Sequence, residues 1–188
     1  MPDCVSCFWR THQQFEMERM LKTLHYFHPE VNVEAFDNDY MVKHNLGEPY
    51  VFPKVGLSLC NKYDTITHID ADVLIVDRLD ELFDTSSDIR AGRNNSDPGK
   101  AGISRAFVLP GIGVNAYINA GIYSITKKEF WQEWYNECFR IGHLTPLGEQ
   151  GVLNKIFYSG RYKNVLLDPL ESKIHYGTSF QYGKRDNW

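Results

Sequence analysis

The chain has 188 residues and a formal net charge of −4 at pH 7. Hydrophobic residues make up 43% of it and charged residues 23%, which is ordinary for a globular protein, and we expect residues 1–188 to form one compact domain. A mildly acidic chain with no basic block is a poor candidate for nucleic-acid binding. No apolar run approaches the roughly 18 residues of a membrane span, so we expect a soluble protein with at most peripheral membrane contact.

The four cysteines predict a reducing compartment. Cys4 and Cys7 have the Cys-x-x-Cys spacing of zinc and redox sites, but they lie in a strand-like apolar run. An i,i+3 spacing in a strand sends two side chains to opposite faces, and no second Cys or His pair completes a zinc site. Reduced, half-buried thiols fit best. Because residues 1–3 open no signal peptide, we expect a cytoplasmic protein.

Strand and helix patterns alternate in the first part of the chain. In order, we expect a strand at 4–8, a helix at 15–27 ended by Pro29, a strand at 31–36, a loop at 37–49, a helix opened by Pro53 that runs to about Tyr63, and a strand at 65–69. This alternation is typical of a parallel sheet with crossover helices.

The second part of the chain is less regular. We expect a helical turn at 79–83, a loop at 94–113, a strand at 117–125 broken by Gly121, a helix from a capping box at 126–129 to about Arg140, a helix from Thr145 to near Gly160, a strand at 162–167 and an aperiodic tail at 171–188. On the first of these two helices, Phe130, Trp131, Trp134 and Cys138 share one face.

Asp70 and Asp72 are the residues that point most strongly to chemistry. They follow the strand at 65–69, at the carboxyl edge where α/β sheets bind ligands. In an extended chain the two side chains point to the same side and can face one cation. Mg²⁺ and Mn²⁺ favour such oxygen ligands and share them with substrate phosphates. Asp-x-Asp alone is more often a solvated turn than a metal site, so other segments must decide.

Four segments in order resemble one enzyme family. Residues 67–76, Thr-His-Ile-Asp-Ala-Asp-Val-Leu-Ile-Val, resemble the metal-binding segment of nucleotide-sugar glycosyltransferases with the GT-A fold, and are most similar to glycosyltransferase family 8, the group of glycogenin and the lipopolysaccharide galactosyltransferases. Residues 117–122 resemble its Phe-Asn-Ala/Ser-Gly strand, and 147–154 its Asp-Gln-Asp-x-Leu-Asn helix start. Residues 174–177, with Lys184 and Trp188, resemble its terminal His-Tyr-x-Gly…Lys-Pro-Trp segment.

The resemblance implies a fold and a set of site residues. The fold would be α/β, a mixed and mainly parallel GT-A sheet flanked by helices. Mn²⁺ or Mg²⁺ would be held by Asp70, Asp72 and His175, and the catalytic residues would be Glu149, Gln150 and Asp72. The nucleotide sugar would contact Phe8, Trp9, Arg10, Thr11, Lys54, Asp70, Ala71, Asp72, Asn119, Ala120, Gly121, Gln150, Gly177 and Lys184.

Several of these residues also have simpler explanations. Asn119 would satisfy backbone groups, Glu149 would cap a helix, and Lys54 would lie at the surface. The chain also departs from the family pattern. Phe8-Trp9-Arg10-Thr11 stands where the family has an acidic residue that holds the base, which leaves stacking on an aromatic ring. Gly151 replaces the last acid of Asp-Gln-Asp, and only 25 positions separate Gln150 from His175, so we expect a reduced acceptor side.

The resemblance predicts a metal-dependent transfer of a hexose from a nucleotide-diphosphate sugar, a UDP-sugar by family likeness, to a hydroxyl of a glycan or glycoconjugate. Retention of configuration would place Gln150 near the reacting face, whereas inversion would use Glu149 as a general base. The alternative is a non-catalytic nucleotide-sugar or carbohydrate binding module on the same fold. A haloacid-dehalogenase-type phosphotransferase fits less well, because its nucleophilic Asp lies on the first strand. A Rossmann dehydrogenase is disfavoured because no Gly-x-Gly-x-x-Gly follows the first strand.

Overall fold

The computed structural model describes residues 3–47, 49–93, 111–112, 116–145 and 147–167, and the backbone of 174–176. Of the predicted loop at 94–113, only residues 111 and 112 lie within these ranges. Gly177, Lys184 and Trp188 lie outside them. Within the described ranges, no helix combines the length and apolarity that a membrane crossing requires.

Eight strands and six α-helices are described. The strands are β1 (Cys4–Phe8), β2 (Val33–Phe36), β3 (Ile66–Ile69), β4 (Val73–Ile75), β5 (Ile89–Arg93), β6 (Ile118–Ile125), β7 (Asn164–Leu167) and β8 (Ile174–Tyr176). The helices are α1 (Gln14–Phe27), α2 (Asn38–Lys43), α3 (Val51–Leu59), α4 (Asp80–Phe83), α5 (Lys128–Ile141) and α6 (Glu149–Phe157). Short 3-10 helices span Thr11–Gln13 and Gly142–Leu144.

Six strands form one mixed sheet in the order β2-β1-β3-β6-β5-β7. Strand β1 pairs in parallel with β2 and β3, and β7 pairs in parallel with β5. Strand β6 is antiparallel to both of its neighbours, β3 and β5. Strands β4 and β8 form a separate antiparallel pair. The α/β class and the mixed, mainly parallel sheet expected from the sequence are confirmed.

Two apolar layers cover the two faces of the sheet. One contains residues of α3, α5 and α6, and the other contains residues of α1, β4 and α4. Cys4 packs in the first layer and Cys7 in the second, as expected from strand alternation. All four cysteines are free and buried, so they are reduced as predicted but more deeply placed than the half-buried expectation.

Helices α3 and α5 approach each other very closely. The predicted apolar face of α5 is buried throughout. Gly56 of α3 lies against Trp131 of α5: a Cβ at Gly56 would fall 1.9 Å from an atom of the indole ring. This contact fixes α3 against α5.

The structure corrects several predicted boundaries. The loop expected at 37–49 contains α2, because the Asp37 carboxylate accepts a hydrogen bond from Tyr40 N at 2.7 Å and Met41 is buried. The capping box at 126–129 is wrong: the Thr126 hydroxyl donates to Ser87 O at 3.0 Å instead, and α5 begins at Lys128.

Helices α3 and α6 also begin at residues other than those predicted from the sequence. Helix α3 begins at Val51, two residues before Pro53, after Tyr50 at a φ of 71°. Helix α6 begins at Glu149 rather than at Thr145, because Leu147 and Gly148 have φ values of 63° and 53°. Backbone in this left-handed region interrupts a right-handed helix.

Strand prediction was also incomplete. Strand β6 runs unbroken through Gly121, so the predicted break there is wrong. Strands β4 and β5 were not predicted: β4 has three residues, and β5 carries two arginines. Arg90 of β5 is nevertheless buried, since its guanidinium donates to Asp84, Ser86 and the Glu81 carbonyl.

Helix α6 is fastened to β6 by one side chain. The fully buried Asn154 accepts from Ile118 N at 2.8 Å and donates to Ile118 O at 3.0 Å, and its amide nitrogen also donates to Gln150 O at 2.9 Å. A single amide therefore satisfies both backbone groups at the start of β6.

We expect Asn154→Leu to destabilise the fold by about 3 kcal/mol or more, because it leaves buried donors and acceptors unpaired at about 1–3 kcal/mol each. Urea unfolding measures the loss. The matched control is Asn136→Ala on the exposed side of α5, which should change stability by less than about 0.5 kcal/mol. Equal effects of the two substitutions would contradict the fastening role.

His28 joins the end of α1 to the segment before α4. Its ring is fully buried, its Nε2 accepts from Leu79 N at 2.9 Å, and it packs edge-on against Phe83 at 4.7 Å. Burial, and then the nearby charge of Arg78, lower the pKa of His28 below its ordinary value.

This lowered pKa predicts a stability that falls with acidification. Above pH ~6.5 the ring is neutral in both states; below it the unfolded chain takes up the proton first, so stability falls by at most ~1.4 kcal/mol per pH unit. His28→Gln keeps an acceptor but does not titrate. In urea unfolding from pH 7.5 to 5, the wild type should lose stability relative to this variant; parallel profiles would refute the prediction.

Candidate functional site

Asp70 and Asp72 lie in a tight turn at the carboxyl end of β3. Asp70 N donates to Gly121 O at 2.8 Å, which continues the pairing of β3 with β6. Val73 N then donates back to Asp70 O at 3.2 Å, and the chain turns into β4. The pair thus occupies a turn rather than the extended segment assumed from the sequence. Ala71 between them is 2% exposed and packs into the core, so its side chain faces away from any ligand.

The charge of Asp70 acts on the neighbouring carboxylate of Asp72. Burial, and then the negative charge of Asp70, raise the pKa of Asp72 to about 6. On α1, Glu16 acts in the same direction and Arg19 acts against it. Burial and the charges of both aspartates also raise the pKa of Cys7, which lies on the neighbouring strand β1. The turn is therefore a partly desolvated site of excess negative charge.

Asp70 is held on two sides. His68 Nε2 lies 3.1 Å from Asp70 Oδ1, and the other nitrogen of the same ring lies 3.2 Å from Ser6 Oγ. On the opposite side, a Cβ built on Gly121 would fall 2.1 Å from Asp70 Oδ2. Because Gly121 has no side chain, the Asp70 carboxylate can approach this close to β6.

Asn119 lies beside this carboxylate at the start of β6. Its Oδ1 accepts from Gly121 N at 2.7 Å, so the backbone role considered for Asn119 is present. This bond assigns the oxygen to the backbone and leaves the amide NH₂ as the donor that a ligand would meet. Ala120, the next residue, is 2% exposed and points into the core.

Glu149 approaches the same region from the first turn of α6. Its Oε2 accepts from Phe52 N at 3.2 Å, in the first turn of α3, and its carbonyl accepts from Trp134 Nε1 at 2.9 Å. Burial, and then the charges of Glu149 and Asp70, raise the pKa of Tyr123 well above its usual value. Two carboxylates from distant parts of the sequence thus face one buried tyrosine. Gln150 follows Glu149 and is half-buried.

The residues predicted at the end of β1 lie at the same edge of the sheet. Phe8 packs against the α3 layer and Trp9 against the α1 layer. Trp9 Nε1 is buried and has no hydrogen-bond partner among the described atoms. Arg10 is exposed, and Thr11 begins the 3-10 helix. A base stacked at this edge would meet aromatic rings rather than a carboxylate.

The structure describes only part of the predicted lysine and C-terminal contacts. Lys54 Nζ donates to Gly47 O at 2.7 Å, which ties α3 to the preceding loop. Residue 175 lies on β8 directly opposite Leu74 of β4, so the backbone of His175 is brought next to the strand that follows Asp72. The His175 side chain, Gly177 and Lys184 lie outside the described residues.

A divalent cation fits the acidic turn. Among residues with described side chains, no group of three or more His, Cys, Asp or Glu is arranged to hold a metal. Two carboxylates are enough when phosphates and water supply the other ligands, as is common for Mg²⁺. The raised pKa of Asp72 is the observation that supports this fit, because a bound cation would offset the burial and repulsion that cause it.

Sequence reasoning missed the residues that support the site. For His68 a signal existed, since residues i and i+2 of a strand share a face and His68 lies two before Asp70. Ser6 required the register of β1 against β3, in which Ser6 is opposite His68. Arg19 and Phe52 required knowledge of how α1 and α3 pack on the sheet.

One cavity of about 560 Å³ lies elsewhere, between the end of α5 and α6. It is lined by Gly111, Ile112, Ile141, Leu144, Thr145, Lys155 and Tyr158. None of these belongs to the predicted set, and the lining is largely apolar. A diphosphate sugar would need more polar partners than this surface offers.

Solved structures share this fold. GlyE of Streptococcus pneumoniae TIGR4, a glycosyltransferase, matches with a TM-score of 0.60 and 14% identity over 88% of this chain and 46% of GlyE. An active-site mutant of LgtC matches with a TM-score of 0.59 and 15% identity over 88% of this chain and 73% of LgtC. The bifunctional glycosyltransferase WbbM matches with a TM-score of 0.61 and 15% identity over 89% of this chain and 38% of WbbM.

These likenesses are structural. No family model and no curated protein matches the sequence. LgtC is a galactosyltransferase whose structure has been solved with donor and acceptor sugar analogues. The chain spans less than half the length of GlyE and of WbbM. The fold of this chain is that of the glycosyltransferases GlyE, LgtC and WbbM.

Proposed function

We propose that this chain is a metal-dependent glycosyltransferase domain that moves a hexose from a UDP-sugar to a hydroxyl of a glycan or glycoconjugate. The observation that carries the proposal is the acidic turn: Asp70 and Asp72 lie at the carboxyl edge of the sheet, and the pKa of Asp72 is raised to about 6. The shared fold with glycosyltransferases supports the reaction class. Four buried, free cysteines support a cytoplasmic location.

The leaving diphosphate sets the main chemical demand. Mn²⁺ or Mg²⁺ held by Asp70, Asp72 and His175 would neutralise its developing charge as a Lewis acid, worth several kcal/mol of barrier. The chain itself orients the donor: the Asn119 amide donates to a sugar hydroxyl or phosphate, and Phe8 or Trp9 stacks on the base. Lys54 and Lys184 are proposed to contact the diphosphate.

We propose retention of configuration, with Gln150 at the reacting face. The contact between Glu149 Oε2 and Phe52 N supports this choice, because it fixes the Glu149 carboxylate against α3. A carboxylate fixed in this way orients the first turn of α6 and so the neighbouring Gln150. A general base of an inverting enzyme must instead reach the acceptor hydroxyl within about 2.6–3.2 Å. The anomeric configuration of the product, read by NMR, distinguishes the two.

We expect Asp72→Asn to reduce sugar transfer about 100-fold or more, since it removes one anionic ligand and several kcal/mol of barrier lowering depend on the cation. UDP release from UDP-sugars is measured with Mn²⁺ and with EDTA. The matched control is Asp39→Asn on the exposed side of α2, which should leave the rate unchanged.

Metal-independent release, or equal rates for Asp72→Asn and the wild type, would contradict the proposal. Tight donor binding by calorimetry without transfer or hydrolysis would instead favour the non-catalytic binding module.

We expect Gly121→Ala to weaken Mn²⁺ binding at least ~10-fold and to destabilise the fold. Its Cβ would lie 2.1 Å from Asp70 Oδ2, so the carboxylate must move. Gly47→Ala is the control, because a Cβ there would meet nothing within 4 Å. Mn²⁺ titration followed by electron paramagnetic resonance, with thermal unfolding, checks both. Unchanged Mn²⁺ affinity in Gly121→Ala would show that Asp70 is not a ligand.

A further inference from the structure

We propose that His68 is a positioning residue that holds the Asp70 carboxylate ready for the metal–diphosphate complex. The inference rests on the proposed function and adds to it a residue outside the predicted set. His68 acts on the site through Asp70 rather than by touching substrate: its Nε2 lies 3.1 Å from Asp70 Oδ1.

The hydrogen-bond pattern fixes which nitrogen carries the hydrogen. An ionised carboxylate only accepts hydrogen bonds, so Nε2 of His68 must donate to Asp70 Oδ1. Nδ1 can then accept from the Ser6 hydroxyl at 3.2 Å, which is a shorter contact than the 3.5 Å between the same hydroxyl and Thr67 O. Ser6 and His68 are 2% exposed, so water does not compete for the bond between them, whereas the Asp70 end of the other bond is partly exposed. The result is a directed chain from Ser6 through His68 to Asp70.

The ring of His68 is also prevented from turning. Tyr123 stacks on one side with ring centroids 5.3 Å apart and planes 23° apart. Phe52 contacts the ring edge-on at 4.8 Å and 65°. A ring held between two aromatic side chains donates in one direction, so Asp70 Oδ1 receives its hydrogen bond in one place.

The remaining contacts of Asp70 complete this constraint. Its N–H donates to Gly121 O at 2.8 Å, and its Oδ2 occupies the space that a Cβ on Gly121 would fill. The side chain is therefore oriented before any ligand arrives, while 35% of it stays exposed for one. A pre-oriented ligand loses less side-chain entropy on metal binding, and removal of such supporting contacts commonly costs 10–100-fold in metal affinity.

Phe52 extends the same arrangement to Glu149. Its ring contacts His68, and its backbone N–H donates to Glu149 Oε2 at 3.2 Å. A substitution that removed the aromatic ring of His68 would remove its packing against Phe52, whereas the bond to Asp70 needs only a donor at the same position. The test therefore needs one variant that keeps a ring and one that keeps the donor.

His68→Phe keeps the ring and removes the donor, whereas His68→Gln keeps an amide N–H at a similar reach. We expect His68→Phe to raise the dissociation constant for Mn²⁺ at least ~10-fold. We expect His68→Gln to stay within ~3-fold of the wild type. In sugar transfer, the Mn²⁺ concentration for half-maximal rate should rise more than kcat falls for His68→Phe.

Mn²⁺ binding is read by the electron paramagnetic resonance signal of free Mn²⁺, without donor, on the full chain. Thermal unfolding in EDTA reports any loss of fold, and His25→Gln, an exposed position on α1, is the control that should match the wild type. Ser6→Ala removes only the hydroxyl that donates to Nδ1; we expect a ~3-fold weaker Mn²⁺ affinity, which keeps the test decisive even if His68→Phe does not fold.

The outcomes separate the two proposals. Wild-type Mn²⁺ affinity in His68→Phe and Ser6→Ala, in a wild type that binds Mn²⁺ and transfers sugar, would overturn the positioning role and leave the proposed function standing. Equal loss in His68→Phe and His68→Gln would show that the ring, not the hydrogen bond, matters, and would also overturn it. A wild type that neither binds Mn²⁺ nor transfers sugar would overturn both.

Discussion

Two carboxylates, those of Asp70 and Asp72, lie close together at the carboxyl edge of the sheet, where burial and repulsion disfavour the charged form of Asp72. The surrounding chain keeps them there. The turn into β4 is closed by a bond from Val73 N to Asp70 O, and Gly121 leaves room for one carboxylate that any larger residue would displace. A raised carboxylate pKa caused by burial and a neighbouring negative charge is common at functional sites.

The topology explains why distant segments meet at this edge. Helix α3 precedes β3 and leads to its first residue, so the first turn of α3 lies near the carboxyl end of that strand, where Phe52 contacts His68. Strand β6 is antiparallel to β3, which brings its first residues, including Asn119, beside the same end. Helix α6 is fastened to the start of β6 by Asn154, so Glu149 arrives there too. One antiparallel pairing and one buried amide thus assemble groups from four parts of the chain.

Local patterns predicted those parts of the fold that local forces decide. Alternating strands and helices gave the parallel β2-β1-β3 unit, and four aromatic and thiol side chains marked the buried face of α5. Boundaries set by tertiary contacts were missed. Thr126 had the chemistry of a helix cap, yet its hydroxyl donates to the carbonyls of Ser87 and Asp88, just before β5. Arg90 made β5 look polar, yet its guanidinium is buried and donates to Asp84 and Ser86. Within the site, the acidic turn was predictable from the sequence. The contact between Ser6 and His68 could be predicted only with the register of β1 against β3.

Charge balance links these observations to the proposed chemistry. Asp70, Asp72 and Glu149 bring negative charge to the edge, and Arg19 does not outweigh burial and repulsion at Asp72. The first turn of α3 would attract an anion through its free N–H groups, but Glu149 already takes the N–H of Phe52. A diphosphate approaching this edge would be repelled by these carboxylates. Under the proposed function, a divalent cation therefore has to accompany the donor, and the orientation of Asp70 decides how tightly that cation is held.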